Sequence, residues 1–313
     1  KHYSGDLLDA VQKALNEVIG TYALAITCVD EPDKIVVAKR GGPLVIGLSE
    51  DAYYIASDVN AIVGNTTRVI YLEDGDIVEV TKGGLRFPNV LNNDYAKRVE
   101  EITINAHETE KCGYDTYMEK EINEQPESIE RAFAGRIDME NATAKMSGFE
   151  DDIFKRTKKI CCMSAGTSWY ASYEGCLLFE QIARIFAYTE FSSELRYKNP
   201  LVGEDDVYLA VSQSGETADT IYAMKEIQEK GGKVFGICNV VSSTIARQSN
   251  GGAFIHAGPE IAVASTKAFS NTLIIFYLLA LKFARQRGMS KEDGLKFIKQ
   301  IMQQPRLVKE ALM

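Results

Sequence analysis

Five hydroxyl or amide side chains crowd nine residues of this chain, and their types and spacing suit the binding of an anion. They are Ser212, Gln213, Ser214, Thr217 and Thr220. The segment lies between a strand-like apolar run at 207–211 and a helix-like stretch at 221–230, and the N–H groups that begin a helix lack partners within it. Because there is no lysine and no GxxxxGK[ST] pattern, a nucleotide P-loop is a poor fit. We therefore expect this turn to hold a phosphate monoester on a small polar molecule, the alternative being that the hydroxyls only cap a helix.

Two more turns of the same character follow other strand-like runs. Residues 164–168 come after the run at 159–163, and residues 258–267 come after the run at 253–256. Both place small hydroxyl side chains at a helix start. The candidate residues are Thr167, Ser168 and Ser265. Because parallel strands end at one edge of their sheet, we expect the three turns to converge on a single pocket.

From residue 158 onward the pattern alternates strand and helix. The predicted strands are 159–163, 207–211, 234–238 and 253–256. The predicted helices are 167–186, 218–230, 243–249 and 267–287. Strands separated by helices of this length specify a parallel, doubly wound sheet, so this part is predicted to be an α/β domain.

Residues 1–104 have a different pattern. An amphipathic helix capped by Ser4 and ending at Gly20 precedes short strands rich in Val, Ile and Tyr. Those strands are predicted at 22–29, 34–38, 44–48, 52–56, 69–72 and 77–80. Tight turns separate them, and Asp74-Gly75 is a hairpin signal. A mainly antiparallel α+β domain is expected.

The middle of the chain separates these two parts. Residues 105–117 are polar and irregular and are predicted to be a linker. Residues 118–134 are helix-like, and Pro126 marks a break near their middle. The α/β domain is therefore predicted to span 118–313.

The composition of the chain limits the kinds of partner that we expect it to bind. The chain has 313 residues, 45% of them hydrophobic and 25% charged, and a formal net charge of −9, which argues against nucleic acid or an anionic membrane as partner. The longest uncharged apolar stretch, 273–281, falls short of the roughly 20 residues of a membrane helix. No secretory leader pattern opens the chain. We expect a cytoplasmic protein that contacts no membrane.

The potential metal ligands and reactive thiols are scattered. The six cysteines and three histidines show no zinc-site or disulfide-framework spacing. We expect buried, reduced thiols, with Cys112 exposed in the linker. His256 ends a strand-like run and is expected to be structural. No metal or cofactor is predicted.

The three turns resemble the first sugar-isomerase (SIS) subdomain of the isomerizing glutamine–fructose-6-phosphate aminotransferase family. Other segments resemble, in the family's order, the end of its N-terminal glutaminase domain and the opening of its isomerase domain. The segments that carry the resemblance are Arg40–Gly47, Ile55–Asp58, Leu72–Asp76, Met118–Pro126, Gly166–Ser168, Ser212–Thr220 and Glu260–Phe269. The resemblance implies a doubly wound parallel-sheet SIS subdomain at 118–313. It also implies that 1–104 are a mainly antiparallel fragment of an N-terminal-nucleophile glutaminase domain.

A sugar-phosphate site follows from this resemblance. The implied phosphate-binding residues are Thr167, Ser168, Ser212, Gln213, Ser214 and Thr217. The residues implied to line the sugar are Val263 and Ser265. The family makes glucosamine 6-phosphate from fructose 6-phosphate and glutamine, the first step of hexosamine (UDP-GlcNAc) biosynthesis, with catalytic groups in parts of its chain that match nothing here. We therefore assign no catalytic residue, and expect Glu216 to cap a helix and Lys267 to pack or form a salt bridge.

Both ends of the sequence look cut, since it begins at Lys1 instead of Met and stops at Met313 inside a helix-like stretch. We therefore expect half of a site for fructose 6-phosphate or glucosamine 6-phosphate, without activity of its own. Glutamine would be used only by the full-length enzyme. SIS domains generally pair, so the resemblance also implies a homodimer.

Two other functions stay open. A non-enzymatic phosphosugar-binding regulator built on one SIS domain would usually carry a helix-turn-helix DNA-binding part, whereas residues 1–104 show strand patterns. A stand-alone sugar-phosphate isomerase would need a general base. The sequence offers no clear candidate for that base.

Overall fold

The computed structural model divides the chain into two compact units, Lys1–Glu110 and Lys111–Met313. The residues that it describes are 1–90, 93–102 and 110–313. The division falls within the predicted linker 105–117, whose first five residues lie outside the described part. Each unit has its own cores, and each is described by itself.

The first unit contains a helix and two antiparallel sheets. Its helix is α1 (Leu7–Leu15). Its strands are β1 (Tyr22–Cys28), β2 (Glu31–Arg40), β3 (Val45–Leu48), β4 (Tyr53–Ala56), β5 (Arg68–Tyr71), β6 (Ile77–Thr81), β7 (Gly84–Arg86) and β8 (Val99–Glu101). The sheets have the orders β1-β2-β6-β7 and β4-β3-β5-β8, and each neighbouring pair is antiparallel. The predicted antiparallel α+β character is confirmed.

Alternation along β2 explains how this unit is layered. Val36 and Ala38 pack against α1, whereas Val37 joins a second core that includes Ile46 and Ile70 of the other sheet. Successive side chains of a strand point to opposite faces. The first sheet therefore buries one face under α1 and the other against the second sheet.

The start of α1 differs from the prediction. The carboxylate of Asp6 accepts the N–H groups of Leu8 at 2.9 Å and Asp9 at 3.3 Å, so Ser4 is not the cap. A carboxylate at this position also interacts favourably with the helix dipole. The helix then ends at Leu15, before the predicted Gly20, because the next turn is closed by i→i−3 hydrogen bonds.

The hairpin predicted at Asp74-Gly75 was wrong. The turn exists, and Gly75 has φ +93°, but the strands on either side of it, β5 and β6, belong to different sheets. The N–H of Gly75 donates to the Lys39 carbonyl at 2.8 Å. Local turn chemistry identified the reversal but not the sheet to which each strand would pair.

The second unit is the predicted α/β domain. Its strands are β9 (Ile137–Asp138), β10 (Thr143–Ala144), β11 (Lys159–Ser164), β12 (Phe186–Phe191), β13 (Asp206–Ser212), β14 (Lys233–Cys238) and β15 (Gly252–Phe254). Its helices are α2 (Tyr117–Asn123), α3 (Gln125–Phe133), α4 (Ile153–Arg156), α5 (Gly166–Leu178), α6 (Ser192–Leu195), α7 (Ala218–Glu229), α8 (Thr244–Gln248), α9 (Lys267–Gln286) and α10 (Lys291–Ala311). The main sheet is wholly parallel with the order β12-β11-β13-β14-β15, which confirms the doubly wound fold. Pro126 is the second residue of α3, so the predicted break falls between α2 and α3.

Two cores cover the two faces of this sheet. One contains Ala171 and Cys176 of α5 with much of α9, and the other contains Ala223 and Met224 of α7. Alternate residues of β11 divide between them, Cys162 joining the first core and Cys161 the second. Four of the six cysteines are buried and Cys112 is exposed, as expected.

The sequence analysis missed the edge strand β12. Residues 167–186 were predicted to be one helix, but α5 ends at Leu178, a π turn follows at Phe179–Ala183, and Phe186 already begins β12. The helix is terminated by Arg184 in the left-handed conformation, φ +56°. Glycine usually occupies such a position, so the usual stop signal was absent from the sequence.

By length and composition α9 could cross a membrane, but 72% of its most apolar window is buried inside the second unit. Core helices of this kind pass the same test. Its apolar character is therefore explained by packing against α5 and the sheet.

Candidate functional site

The strand order reverses between β11 and β13, and the candidate site lies at this point. After β11 the chain enters α5 on one face of the sheet, and after β13 it enters α7 on the other face. The two helices therefore diverge from the carboxyl edge. Doubly wound sheets bind ligands in the crevice that such a reversal opens.

The turn after β13 is shaped by its own hydroxyl groups. Ser212 Oγ lies 2.8 Å from Thr217 Oγ1 and accepts the N–H of Gly215 at 3.1 Å. Ser214 Oγ accepts the N–H of Glu216 at 3.1 Å. Ser212, Gln213, Ser214 and Thr217 are thus brought together in one compact turn, as predicted.

Glycine is required at position 215. Its φ is +67°, and a Cβ added there would lie 2.0 Å from Ser243 Oγ. A side chain would therefore meet both backbone strain and a collision. The close approach to Ser243 places the start of α8 directly beside this turn.

The two helices that flank the crevice begin without a side-chain cap from their N-cap residue. The N-cap residues are Ala165 for α5 and Thr217 for α7, and neither makes a side-chain hydrogen bond to its helix within the described residues. Thr116, Ser243 and Ser290 do cap α2, α8 and α10, whereas the N-cap residues of α3, α4, α6 and α9 make no such bond in the described part of the chain. What sets α5 and α7 apart is that both begin at the strand-order reversal. Uncapped N-terminal N–H groups are donors for an anion.

Thr167 and Ser168 lie in the first turn of α5. Thr167 is exposed and Ser168 is half-buried. The carbonyl of Ser168 accepts Ser172 Oγ at 2.8 Å, and Ser164 Oγ donates to Ser172 Oγ at 3.0 Å. Internal hydrogen bonds thus fix the start of this helix and leave the hydroxyl of Thr167 in solvent.

The third turn, between β15 and α9, is organised by a carboxylate. Glu260 accepts the N–H groups of Thr266 at 2.9 Å and Ala268 at 3.1 Å, so it caps α9. Its second oxygen accepts the hydroxyl of Ser265 at 3.0 Å. Val263 is fully exposed at the tip of the same turn.

Asn239 joins the third turn to the turn after β13, and the sequence analysis missed it. Its N–H donates to the Gln213 carbonyl at 2.9 Å, its Nδ2 to the Gly258 carbonyl at 2.7 Å, and its Oδ1 accepts the Ala257 N–H at 2.9 Å. The residue directly follows β14, which lies between β13 and β15 in the sheet. A polar residue after a parallel strand was the signal that could have found it.

The charged residues near the site have structural roles. Glu216 accepts the N–H of Thr244 at 2.7 Å, so it caps α8 and not its own helix. Lys267, which is 2% exposed, pairs with Glu124 at 2.6 Å, which confirms the expected salt bridge.

His256 lies just beyond β15, with φ +51°, and its ring is partly shielded from water although the residue as a whole is exposed. Burial and the guanidinium groups of Arg136 and Arg131 lower its pKa. The structure gives this histidine contacts with the ring of Phe254 and with Arg131, which bonds to its carbonyl at 3.4 Å.

Comparison with known proteins identifies this unit and the chain's relatives. A SIS domain matches residues 153–282. The glutamine–fructose-6-phosphate aminotransferase [isomerizing] of Chlorobaculum tepidum is 44% identical over 286 residues, which are 91% of this chain and 47% of that protein. The protein of the same name from Bacteroides thetaiotaomicron is 40% identical over 311 residues, 98% of this chain and 51% of that protein.

A solved structure shows the same relationship. The C-terminal domain of glucosamine-fructose-6-phosphate aminotransferase from Francisella tularensis superposes with a TM-score of 0.60 and 31% identity, covering 65% of this chain and 57% of that one. The chain spans about half the length of the curated relatives it matches. The predicted family resemblance is thereby confirmed: the chain contains a SIS domain and is related, over nearly its whole length, to the isomerizing glutamine–fructose-6-phosphate aminotransferases.

Proposed function

We propose that the crevice between α5 and α7 binds the phosphate group of fructose 6-phosphate or glucosamine 6-phosphate. The observation that carries this proposal is the pair of helix N-termini without a side-chain cap, among the described residues, at the point where the strand order reverses. Each contributes the N–H donors of its first turn and the positive end of a helix dipole.

The chemistry of the turns supports a phosphate dianion. Residues 164–168 and 212–220 contain neither lysine nor arginine, and their hydroxyl groups can donate to phosphate oxygens. The second turn and the start of α7 carry two carboxylates. Asp219, in the first turn of α7, pairs with Arg196 at 3.4 Å. Glu216 is directed to Thr244 at the start of α8. Its negative charge is therefore used to cap another helix, beside the crevice. We assign phosphate contacts to Thr167, Ser168, Ser212, Gln213, Ser214 and Thr217.

The wider proposal concerns the enzyme to which this chain is related. The relatives are named glutamine–fructose-6-phosphate aminotransferases [isomerizing], and we infer that this chain corresponds to a sugar-phosphate half-site of an enzyme of that kind, which would make glucosamine 6-phosphate. Residues 1–104 would be the closing part of a glutaminase domain and 118–313 the first SIS subdomain. On this proposal the chain alone is inactive, the protein is cytoplasmic, and SIS domains pair it into a homodimer. Val263 and Ser265 would line the sugar.

Ligand binding tests the site. Fructose 6-phosphate and glucosamine 6-phosphate should raise the melting temperature of the chain, because a ligand that binds only the folded state stabilises it. Unphosphorylated fructose should not. Replacing Ser214 by Ala and Thr217 by Val together should abolish the shift, whereas Ser193→Ala, which removes an exposed hydroxyl bonded to Glu194, should leave it intact.

Two results would contradict the proposed function. If no hexose phosphate shifts the melting temperature, the proposed site is wrong. If the chain interconverts sugar phosphates in a coupled assay, it is an isomerase in its own right and the assignment of no catalytic residue fails. Light scattering tests the proposed homodimer separately.

A further inference from the structure

The segment Met118–Pro126 carries part of the family resemblance, but the phosphate site makes no use of it. It forms α2 and the first two residues of α3. Its polar side chains reach across more than 120 residues of sequence to the third turn and the start of α9. These contacts show what the segment contributes to the site.

Glu121 is the member of this segment that contacts the third turn. Its side chain is buried, with 2% exposed, and its Oε1 accepts the N–H groups of Ile261 at 2.6 Å and Ala262 at 3.0 Å. These two amides immediately precede Val263. One carboxylate oxygen therefore holds the backbone that leads into the exposed tip of the turn.

The rest of the segment anchors α9. Glu124 pairs with Lys267 at 2.6 Å, and Gln125 Oε1 accepts Ser270 Oγ at 2.5 Å. The contacts of Glu121, Glu124 and Gln125 occur in the same order along the chain as the residues that they contact. Glu124 and Gln125 hold α9, whereas Glu121 is the one of these three that holds the loop.

The other fixed points of the loop lie at its two ends. Asn239 bonds to Ala257 and Gly258 at its start, and Glu260 bonds to Ser265 and to the N-terminus of α9. Without Glu121 the span between them would have no described side-chain anchor at Ile261 and Ala262. Its tip remains in solvent, since Val263 is fully exposed.

We propose that Glu121 is a positioning residue that presets the loop at 259–265 for the sugar part of the ligand. The proposal rests on the proposed function, because the phosphate would bind at the crevice while this loop approaches the sugar. Glu121 touches no ligand in it. Its role is to hold the Ile261 and Ala262 amides so that Val263 and Ser265 are presented in one conformation, which lowers the entropy cost of binding.

The choice of substitutions at Glu121 follows from its second carboxylate oxygen. Oε2 is buried without a hydrogen-bond partner among the residues that the structure describes. In Glu121→Gln the amide oxygen can still accept both N–H groups, while the amide nitrogen takes the second position. In Glu121→Met the volume is kept but the acceptor is lost. Ser270→Ala is the matched control, since it removes a contact to the same segment without touching the loop.

Binding of fructose 6-phosphate and of inorganic phosphate is measured for all four proteins. We expect Glu121→Met to weaken fructose 6-phosphate binding by roughly tenfold, as expected for two amides left without an acceptor. Binding of inorganic phosphate should change by less than about twofold, within the scatter expected for a site whose own contacts are intact. Glu121→Gln and Ser270→Ala should resemble the parent protein.

Amide hydrogen exchange provides a readout that needs no ligand. The Ile261 and Ala262 amides should be protected in the unliganded parent protein and lose protection in Glu121→Met. Equal losses for both ligands, no loss for either, or rapid exchange of the two amides in the parent would overturn the proposal. If the parent binds neither ligand, the proposed function fails, and the exchange result still decides whether Glu121 holds the loop.

Discussion

Gly215→Ala should be the most damaging single-methyl change in the crevice. Gly215 has φ +67°, and holding alanine in the left-handed region costs about 1–2 kcal/mol. The new Cβ would also lie 2.0 Å from Ser243 Oγ and 2.5 Å from Ser243 Cβ. Ser243 must then move and give up its cap on α8, which costs about 1 kcal/mol more. We expect a total loss of about 2–3 kcal/mol.

A second glycine separates the two contributions. Gly231 has φ +84° with nothing within 4 Å of an added Cβ, so Gly231→Ala meets the same kind of backbone strain without a collision. It should cost only about 1–2 kcal/mol. Both substitutions reduce the freedom of the unfolded chain equally, so this effect cancels in the comparison.

The assay is urea unfolding followed by tryptophan fluorescence. Trp169 is the single tryptophan of the chain and stacks on Phe191 at 4.7 Å, so the signal reports on the second unit. Combining Gly215→Ala with Ser243→Gly removes the colliding atoms and should return part of the lost stability, giving a coupling energy on the order of 1 kcal/mol. If Gly215→Ala costs no more than Gly231→Ala, the packing of the turn against α8 is wrong.

Three further changes test the neighbouring contacts. Asn239→Ala removes the side-chain hydrogen bonds that join the third turn to the turn after β13, and should cost about 1–3 kcal/mol in the same urea assay. Asn239→Asp should be intermediate. An unchanged urea midpoint for Asn239→Ala would contradict this link. Glu216→Ala should cost about 1 kcal/mol because the Thr244 N–H loses its acceptor, although Ser243 still caps α8 through the Ala246 N–H. Glu216→Gln keeps an acceptor and should be nearly neutral, and equal losses would argue for a role of the charge itself. The pKa of His256 is lowered by burial, Arg136 and Arg131, so the unfolded chain takes up its proton first and stability falls as pH drops through about 6.5. His256→Asn, which tolerates the left-handed backbone, should therefore gain more stability over the parent at pH 5.5 than at pH 8, and a gain independent of pH would refute this.

Local pattern was sufficient to predict the hydroxyl-rich turn after β13 and its place on a parallel sheet. The hydroxyl-rich run after an apolar strand, repeated after β11, depends only on neighbours in sequence. The strand β12 was not predicted because Arg184, not glycine, takes the left-handed position that ends the preceding helix. That β5 and β6 lie in different sheets was not predicted, because a turn signal carries no information about which distant strand each of them pairs with.

The place of Asn239 directly after β14 was a signal that it belongs to the site, but the contacts that support the site could not be derived from local pattern. Asn239 gains its role from lying between two turns that are separated by about 45 residues of chain, and Glu121 from amides about 140 residues away. No periodicity or spacing encodes such distances. Glu216 shows the same limitation, since its position at a helix start predicted a capping role but not that the helix would be α8.

The central claim is that two helix N-termini at the strand-order reversal bind a sugar phosphate. A crystal structure of the chain with fructose 6-phosphate tests it most directly. The account predicts the phosphate group within hydrogen-bond distance of the first-turn amides of α5 and α7 and of the Ser214 and Thr217 hydroxyls. A phosphate held elsewhere, for example by Arg131 and Arg136, with the crevice empty at saturating ligand, would contradict it.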